Sequence, residues 1–191
     1  MSSFVLMVVP HVNVRASIRA LKQAARDFDA DDAMMALPEG IILHWFDASE
    51  NVSPERVQLA LAERESDISG ALPDPFRFLS AERVSHRWCL RLNRVIDSDV
   101  LLNSLRAFAS SAKLELCDAP PLYSAEALDC IALGSASEVS LSTPISFKKY
   151  ELVIYLAELP ETPLSGFHFS AIARAHHKTR RGSAGRTLRS D

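Results

Sequence analysis

Cysteine is scarce: the chain has three, Cys89, Cys117 and Cys130, widely spaced and with no C-x-x-C pair. That argues against a disulfide framework or a cysteine-based zinc site and suits a reducing compartment, so a cytoplasmic, intracellular location is expected. Long apolar runs are also lacking. Phe4–Val9 is six residues long with no basic flank, too short for a signal-peptide core or a membrane span, so no membrane partner is expected. Only six of the 191 residues are glycine, and none builds a P-loop or a dinucleotide-binding loop. There is no G-x-S-x-G, no carboxylate pair of the metal-nuclease kind, no repeat of 20–50 residues, and no ligand set that asks for a metal or cofactor.

What remains is ordinary globular material, 48% hydrophobic and 24% charged, with a formal net charge of -3. The charge is unevenly placed. Six of the 21 basic side chains (Arg174, Lys178, Arg180, Arg181, Arg186 and Arg189) fall in residues 174–190, where no acidic residue occurs; the rest of the chain holds 15 basic against 24 acidic residues. An acidic body with a basic, aperiodic tail over 176–191 is the expectation.

Periodicity supplies the elements. Phe4–Val9 is apolar on both faces, as a covered central strand is. Val14, Ile18, Leu21, Ala25 and Phe28 form a helical stripe, and Ile41–Asp47 reads as a strand. Ser53-Pro54-Glu55 is a helix start, with serine at the cap and proline in the first turn. Phe76–Leu79 reads as a short strand and Val84–Leu92 as a longer one. Asp97 or Ser98 caps a helix carrying Leu101, Leu105, Phe108 and Ala112, and Leu114–Cys117 reads as a brief strand. Strands are then expected over Leu128–Leu133, Val139–Thr143, Tyr150–Leu159 and from Gly166 to Arg174. This order predicts an α+β fold in which two ferredoxin-like βαβ lobes, about 1–80 and 81–175, set antiparallel sheets around a central cleft.

Two strands carry candidate chemistry. Alternation puts His168, Ser170, Ile172 and Arg174 on one face of the last strand, where a base, a hydroxyl and a cation can meet a phosphate. His44 sits in the earlier strand Ile41–Asp47. The strand-helix order leading to each histidine, and the motif His168-Phe169-Ser170-Ala171, resemble the two-histidine phosphoesterase superfamily, which includes the RNA-ligase-like cyclic phosphodiesterases. The resemblance spans roughly residues 4–174. Its first motif is half matched by His44-Trp45-Phe46-Asp47, with Phe46 where the family has a hydroxyl residue. It implies metal-independent hydrolysis of 2′,3′-cyclic phosphate or 2′-5′ bonds of RNA ends or small oligonucleotides. His44 and His168 would share the acid and base roles, with Ser170 and Arg174 on the phosphate. Such chemistry suits histidine, which titrates near neutral pH, and needs donors already placed on the phosphate oxygens.

Each residue also has a plainer role. Ile42 and Phe46 flank His44, so a core histidine fits equally well, and His86 among Val84, Trp88 and Leu90 reads as core. Arg83, Arg87 and Arg91 would line one face of a single strand, either contacting nucleic acid or forming a solvated face that resists edge pairing. Lys178, Arg180 and Arg181 would add salt-sensitive attraction to RNA or simply solubility. The alternative functions are a non-catalytic RNA-binding or protein-interaction module on the same scaffold, or a ferredoxin-like RNA-processing endoribonuclease subunit.

Overall fold

The computed structural model describes residues 2–26, 35–48, 51–84, 87–94, 96–119, 130–135, 138–158 and 168–177. The fold is α+β, and the described residues form three helices and two antiparallel sheets. The elements are β1 (Ser2–Pro10), α1 (Val12–Ala24), β2 (Ile41–Asp47), α2 (Pro54–Gly70), β3 (Phe76–Val84), β4 (Arg87–Leu92), α3 (Ser98–Ala112), β5 (Glu115–Cys117), β6 (Cys130–Gly134), β7 (Ile145–Phe147), β8 (Tyr150–Glu158) and β9 (His168–His176). Among the described residues no helix is long and apolar enough to cross a membrane.

The five-stranded sheet runs β5-β2-β1-β8-β9 and the four-stranded one β6-β4-β3-β7. The larger sheet thus pairs the first two strands with the last two, and the division at 80/81 expected from sequence is not followed by the sheets. The cause is burial. β1 and β8 are apolar on both faces, so each requires a covered, central place, and they pair with each other over nine residues, Ser2–Pro10 against Tyr150–Glu158. Phe4, Leu6 and Val8 point into one apolar cluster, while Val5, Met7 and Val9 point into a second on the opposite face.

The first face packs against α2 and α3, whose buried residues Val57, Leu61, Ile68, Leu101, Leu105 and Phe108 form their apolar stripes. Both helices start as their sequences require: Ser53 accepts the Arg56 amide, and Asp97 accepts those of Asp99 and Val100. The loop before β2, whose Leu37 enters the second cluster, is pinned to α1, which sets Ile18 into the first. Lys22 is buried and its Nζ donates to the Leu37 carbonyl at 2.8 Å, and Arg19 makes two bonds to the buried Glu39. Burial pushes the Glu39 carboxyl up, but the hydrogen bond and charge of Arg19 outweigh this and hold it below its usual value.

Several expected elements differ. Phe76–Val84 and Arg87–Leu92 pair as two antiparallel strands, not a short strand and a separate long one; Arg83 faces Trp88 across the ladder and Val84 faces Arg87. Val139–Thr143 lies outside any strand, and Ile145–Phe147, after Pro144, pairs with β3 instead. β9 continues through His176, and the His177 amide donates to the Tyr150 carbonyl at 3.2 Å, so the fold extends past the expected start of the tail at 176.

Candidate phosphate-binding pocket

The two histidine strands fall in one sheet. His44 pairs with Leu6, Leu6 with Ile154 and Ile154 with Ala173, whereas His168 lies in the row of Glu158 and Ser2. The two histidines are therefore three strands apart, roughly 14 Å, and four residues apart along the strands, roughly 13 Å. The sequence reading places the two histidines in the sheets of separate lobes; both strands belong to the larger sheet.

His44 is half-buried on the face covered by α2 and α3. Its ring meets Phe46 edge-on at 5.4 Å, and Phe46, fully buried, meets Phe108 of α3 at 5.5 Å. The position that holds a hydroxyl in the resembled family thus faces the core here. Burial pushes the His44 pKa down, favouring the neutral ring, while the carboxylate of Asp118, just beyond β5, pulls it the other way. His168 is exposed at the start of β9, and Ser170 is half-buried two residues on, on the same face.

Arg174 does not join them. A bulge between the pairs Ile154–Ala173 and Tyr155–Ala171 inserts Ile172 and reverses the alternation. Ser170 consequently pairs with Leu156 and Arg174 with Val153, which point to opposite faces. The arginine row is broken as well. Arg87 and Arg91 share one face of β4, with Arg91 3.5 Å from Glu82, while Arg83 lies on β3 and shares the opposite face with Trp88. Lys178, Arg180, Arg181 and His86 lie outside the described residues.

The bulge sends Arg174 into a different constellation, one the sequence reading did not assemble. A cavity of about 510 Å³ is lined by His11, Arg15, Lys149, Glu151, Arg174, His176 and His177, with Val9, Pro10, Val12 and Tyr150 as its apolar wall. Four places in the fold supply these groups: α1 and its N-cap, the β7–β8 connection, the start of β8 and the end of β9. The His11 amide donates to the Lys149 carbonyl at 3.3 Å, which fixes the helix start against that connection. Among the described residues Glu151 is the one carboxylate lining the cavity; it pairs with Arg174 at 3.1 Å and with His176 Nδ1 at 3.2 Å. Arg15 reaches Glu39 at 3.5 Å through a terminal nitrogen, while its buried Nε has no hydrogen-bond acceptor among the described residues.

Tyr155 reports the convergence. Burial raises its phenol pKa, and the charges of Arg15 and Arg174 oppose the rise together, so both cations lie within electrostatic reach of one ring. On the far wall Tyr150 stacks on His177, centroids 4.6 Å apart and planes 6° from parallel. His177 Nδ1 sits 3.1 Å from the Glu65 carboxylate, which also accepts from Ser69. Burial pushes the Tyr150 phenol up to about 12, so it stays protonated as a donor, even though the Ser69 hydrogen bond favours the charged form. His176 and His177 therefore diverge to different carboxylates and do not form a metal-binding pair. No group of three or more histidine, cysteine or acidic residues is placed to hold a metal among the described residues.

Chemically, the described lining offers three basic side chains, Arg15, Lys149 and Arg174, against the Glu151 carboxylate, with apolar side chains beside them. That set suits an oxyanion of more than one charge. No protein-family model matches the chain, and no curated protein matches it.

Proposed function

We propose that this protein binds RNA, or a short oligonucleotide, through the cation-lined cavity beside α1 and β9, and does so without hydrolysing it. The observation that carries the reading is the convergence of Arg15, Lys149 and Arg174 on one cavity whose rim includes His177, the residue from which the basic stretch Lys178, Arg180 and Arg181 continues. A fixed anion pocket followed directly by a run of cations is a sensible arrangement for a polyanion: the pocket positions one phosphate and the run adds sequence-independent attraction.

The positions of His44 and His168 count against turnover. General acid and base must both come within hydrogen-bond reach of one phosphate, and the strand order separates them. In this reading phosphate is handled on the face of the sheet opposite His168 and Ser170.

Fluorescence anisotropy with a labelled single-stranded RNA tests this. Binding should weaken steeply with salt, at about -0.7 in log K per log salt for each phosphate contact. Replacing Lys178, Arg180 and Arg181 with serine should flatten that slope by about 2. A 2′,3′-cyclic nucleotide should be recovered intact. Salt-independent binding, or hydrolysis abolished by His168→Ala, would overturn the proposal.

A further inference from the structure

We infer that the cavity recognises a terminal phosphomonoester, the doubly charged phosphate at an oligonucleotide end, in preference to the singly charged phosphodiester inside a strand. The inference rests on the RNA-binding reading and names which phosphate the pocket takes.

Three observations carry it. First, the cations converge. Arg15 comes from the first turn of α1, Lys149 from the β7–β8 connection and Arg174 from the last turn of alternation in β9, all onto one cavity of about 510 Å³. A surface that tracks a backbone presents its cations in a row, and the candidate row Arg83, Arg87 and Arg91 is split between two faces. A concave cluster concentrates charge on a single group instead.

Second, donor capacity remains in the pocket. Arg15 Nε is buried without an acceptor among the described residues, and Lys149 makes no ion pair among them. The α1 start adds partial positive charge: its N-cap His11 makes no side-chain cap bond and its first turn holds no acidic residue. A monoester presents three non-bridging oxygens and can accept from several of these at once, whereas a diester presents two.

Third, Glu151 sits between Arg174 and His176 as the sole carboxylate lining the cavity among the described residues. It holds both side chains in place when the pocket has no anion and competes with any anion that enters. An entering anion has to draw Arg174 away from Glu151, and a dianion attracts the guanidinium more strongly than a monoanion does.

The test compares three RNAs of one sequence: 5′-phosphorylated, 3′-phosphorylated, and hydroxyl at both ends. At least one phosphorylated form should bind about ten- to a hundredfold tighter than the hydroxyl form, the range of one or two net charge-assisted hydrogen bonds. Inorganic phosphate should erase the difference. Lys149→Ala with Arg174→Gln should remove the preference and leave the weaker, salt-dependent binding, with the urea midpoint confirming that the variant is folded. Glu151→Gln should tighten binding of the phosphorylated form. Equal affinity for all three RNAs would overturn this inference while leaving RNA binding standing; no binding of any of them would overturn the RNA-binding reading and this one with it.

Discussion

Restoring the family-like hydroxyl, by Phe46→Thr, should cripple the fold without creating an enzyme. Phe46 is fully buried on the α2–α3 side of the larger sheet, and its ring makes edge-to-face contacts with Phe108 and His44. Removing a buried aromatic ring costs about 3–5 kcal/mol when the surroundings cannot collapse. A threonine hydroxyl left there without a partner adds roughly 1–3 kcal/mol. Against the roughly 5–15 kcal/mol that separates a domain from its unfolded state, this is a large fraction. With a urea dependence of about 2 kcal/mol per molar, the unfolding midpoint should fall by roughly 2–4 M. Circular dichroism against urea measures it, and a 2′,3′-cyclic nucleotide assay run alongside should stay at background. The reasoning is refuted if Phe46→Thr keeps its midpoint within about 0.5 M of the parent and gains hydrolysis that His168→Ala then abolishes. That result would mean that position 46 faces a substrate and that the two histidines share it.

Two further predictions concern the same sheet. A Cβ at Gly40 would fall inside van der Waals contact of the Val8 carbonyl oxygen, a backbone atom of the central strand, so Gly40→Ala should cost about 1–3 kcal/mol, read as a lower midpoint in the same titration. For His44, burial lowers the folded-state pKa against the pull of Asp118, so the unfolded chain takes up this proton first as pH drops below the ordinary value of 6.5. Its contribution is therefore intact above that pH and is lost as pH falls toward the folded-state value; His44→Gln should show a smaller fall in urea midpoint between about pH 7.5 and 5.5 than the parent, and an equal fall would mean that His44 is not the titrating group.

Much of the fold is legible locally. β1, β2 and β8 stand out because runs such as Leu152-Val153-Ile154-Tyr155-Leu156 are apolar on both faces, which only covered strands require. Ser53 and Asp97 mark their helices because a short oxygen-bearing side chain is the cheapest way to satisfy free amides. What local pattern does not carry is partnership. Nothing in Ser2–Pro10 says that its neighbour is Tyr150–Glu158, so dividing the chain into lobes by sequence order separates strands that burial brings together. The β3–β4 turn escapes notice for a local reason. Residues 84–87, Val-Ser-His-Arg, contain no glycine, proline, asparagine or aspartate to signal a reversal, and alternation runs on through them.

The site was hidden by something smaller. Period-two reasoning holds for a regular strand, and β2 and β9 each carry a bulge. The bulge in β2 sets Leu43 and His44 against Leu6, and the one in β9 falls just past Ile154, the residue that Leu6 faces on β8. The two irregularities thus lie in one row, flanking the central pair β1–β8, where extra residues on the outer strands increase twist and bend the sheet. In β9 both Ile172 and Ala173 then pack against the same core cluster. One inserted residue therefore divides what alternation reads as a single face. His168 and Ser170 stay on the side of α2 and α3, while Arg174 and His176 turn to the other side, toward Arg15 and the start of α1. The edge of β9 is held in that phase by Gln58 of α2, whose side-chain amide both donates to the Arg174 carbonyl and accepts from its amide, each at 2.9 Å. This pair of bonds does for the edge what another strand would do, so the orientation of Arg174, and with it the placing of a cation in the pocket, depends on a glutamine more than a hundred residues away in sequence.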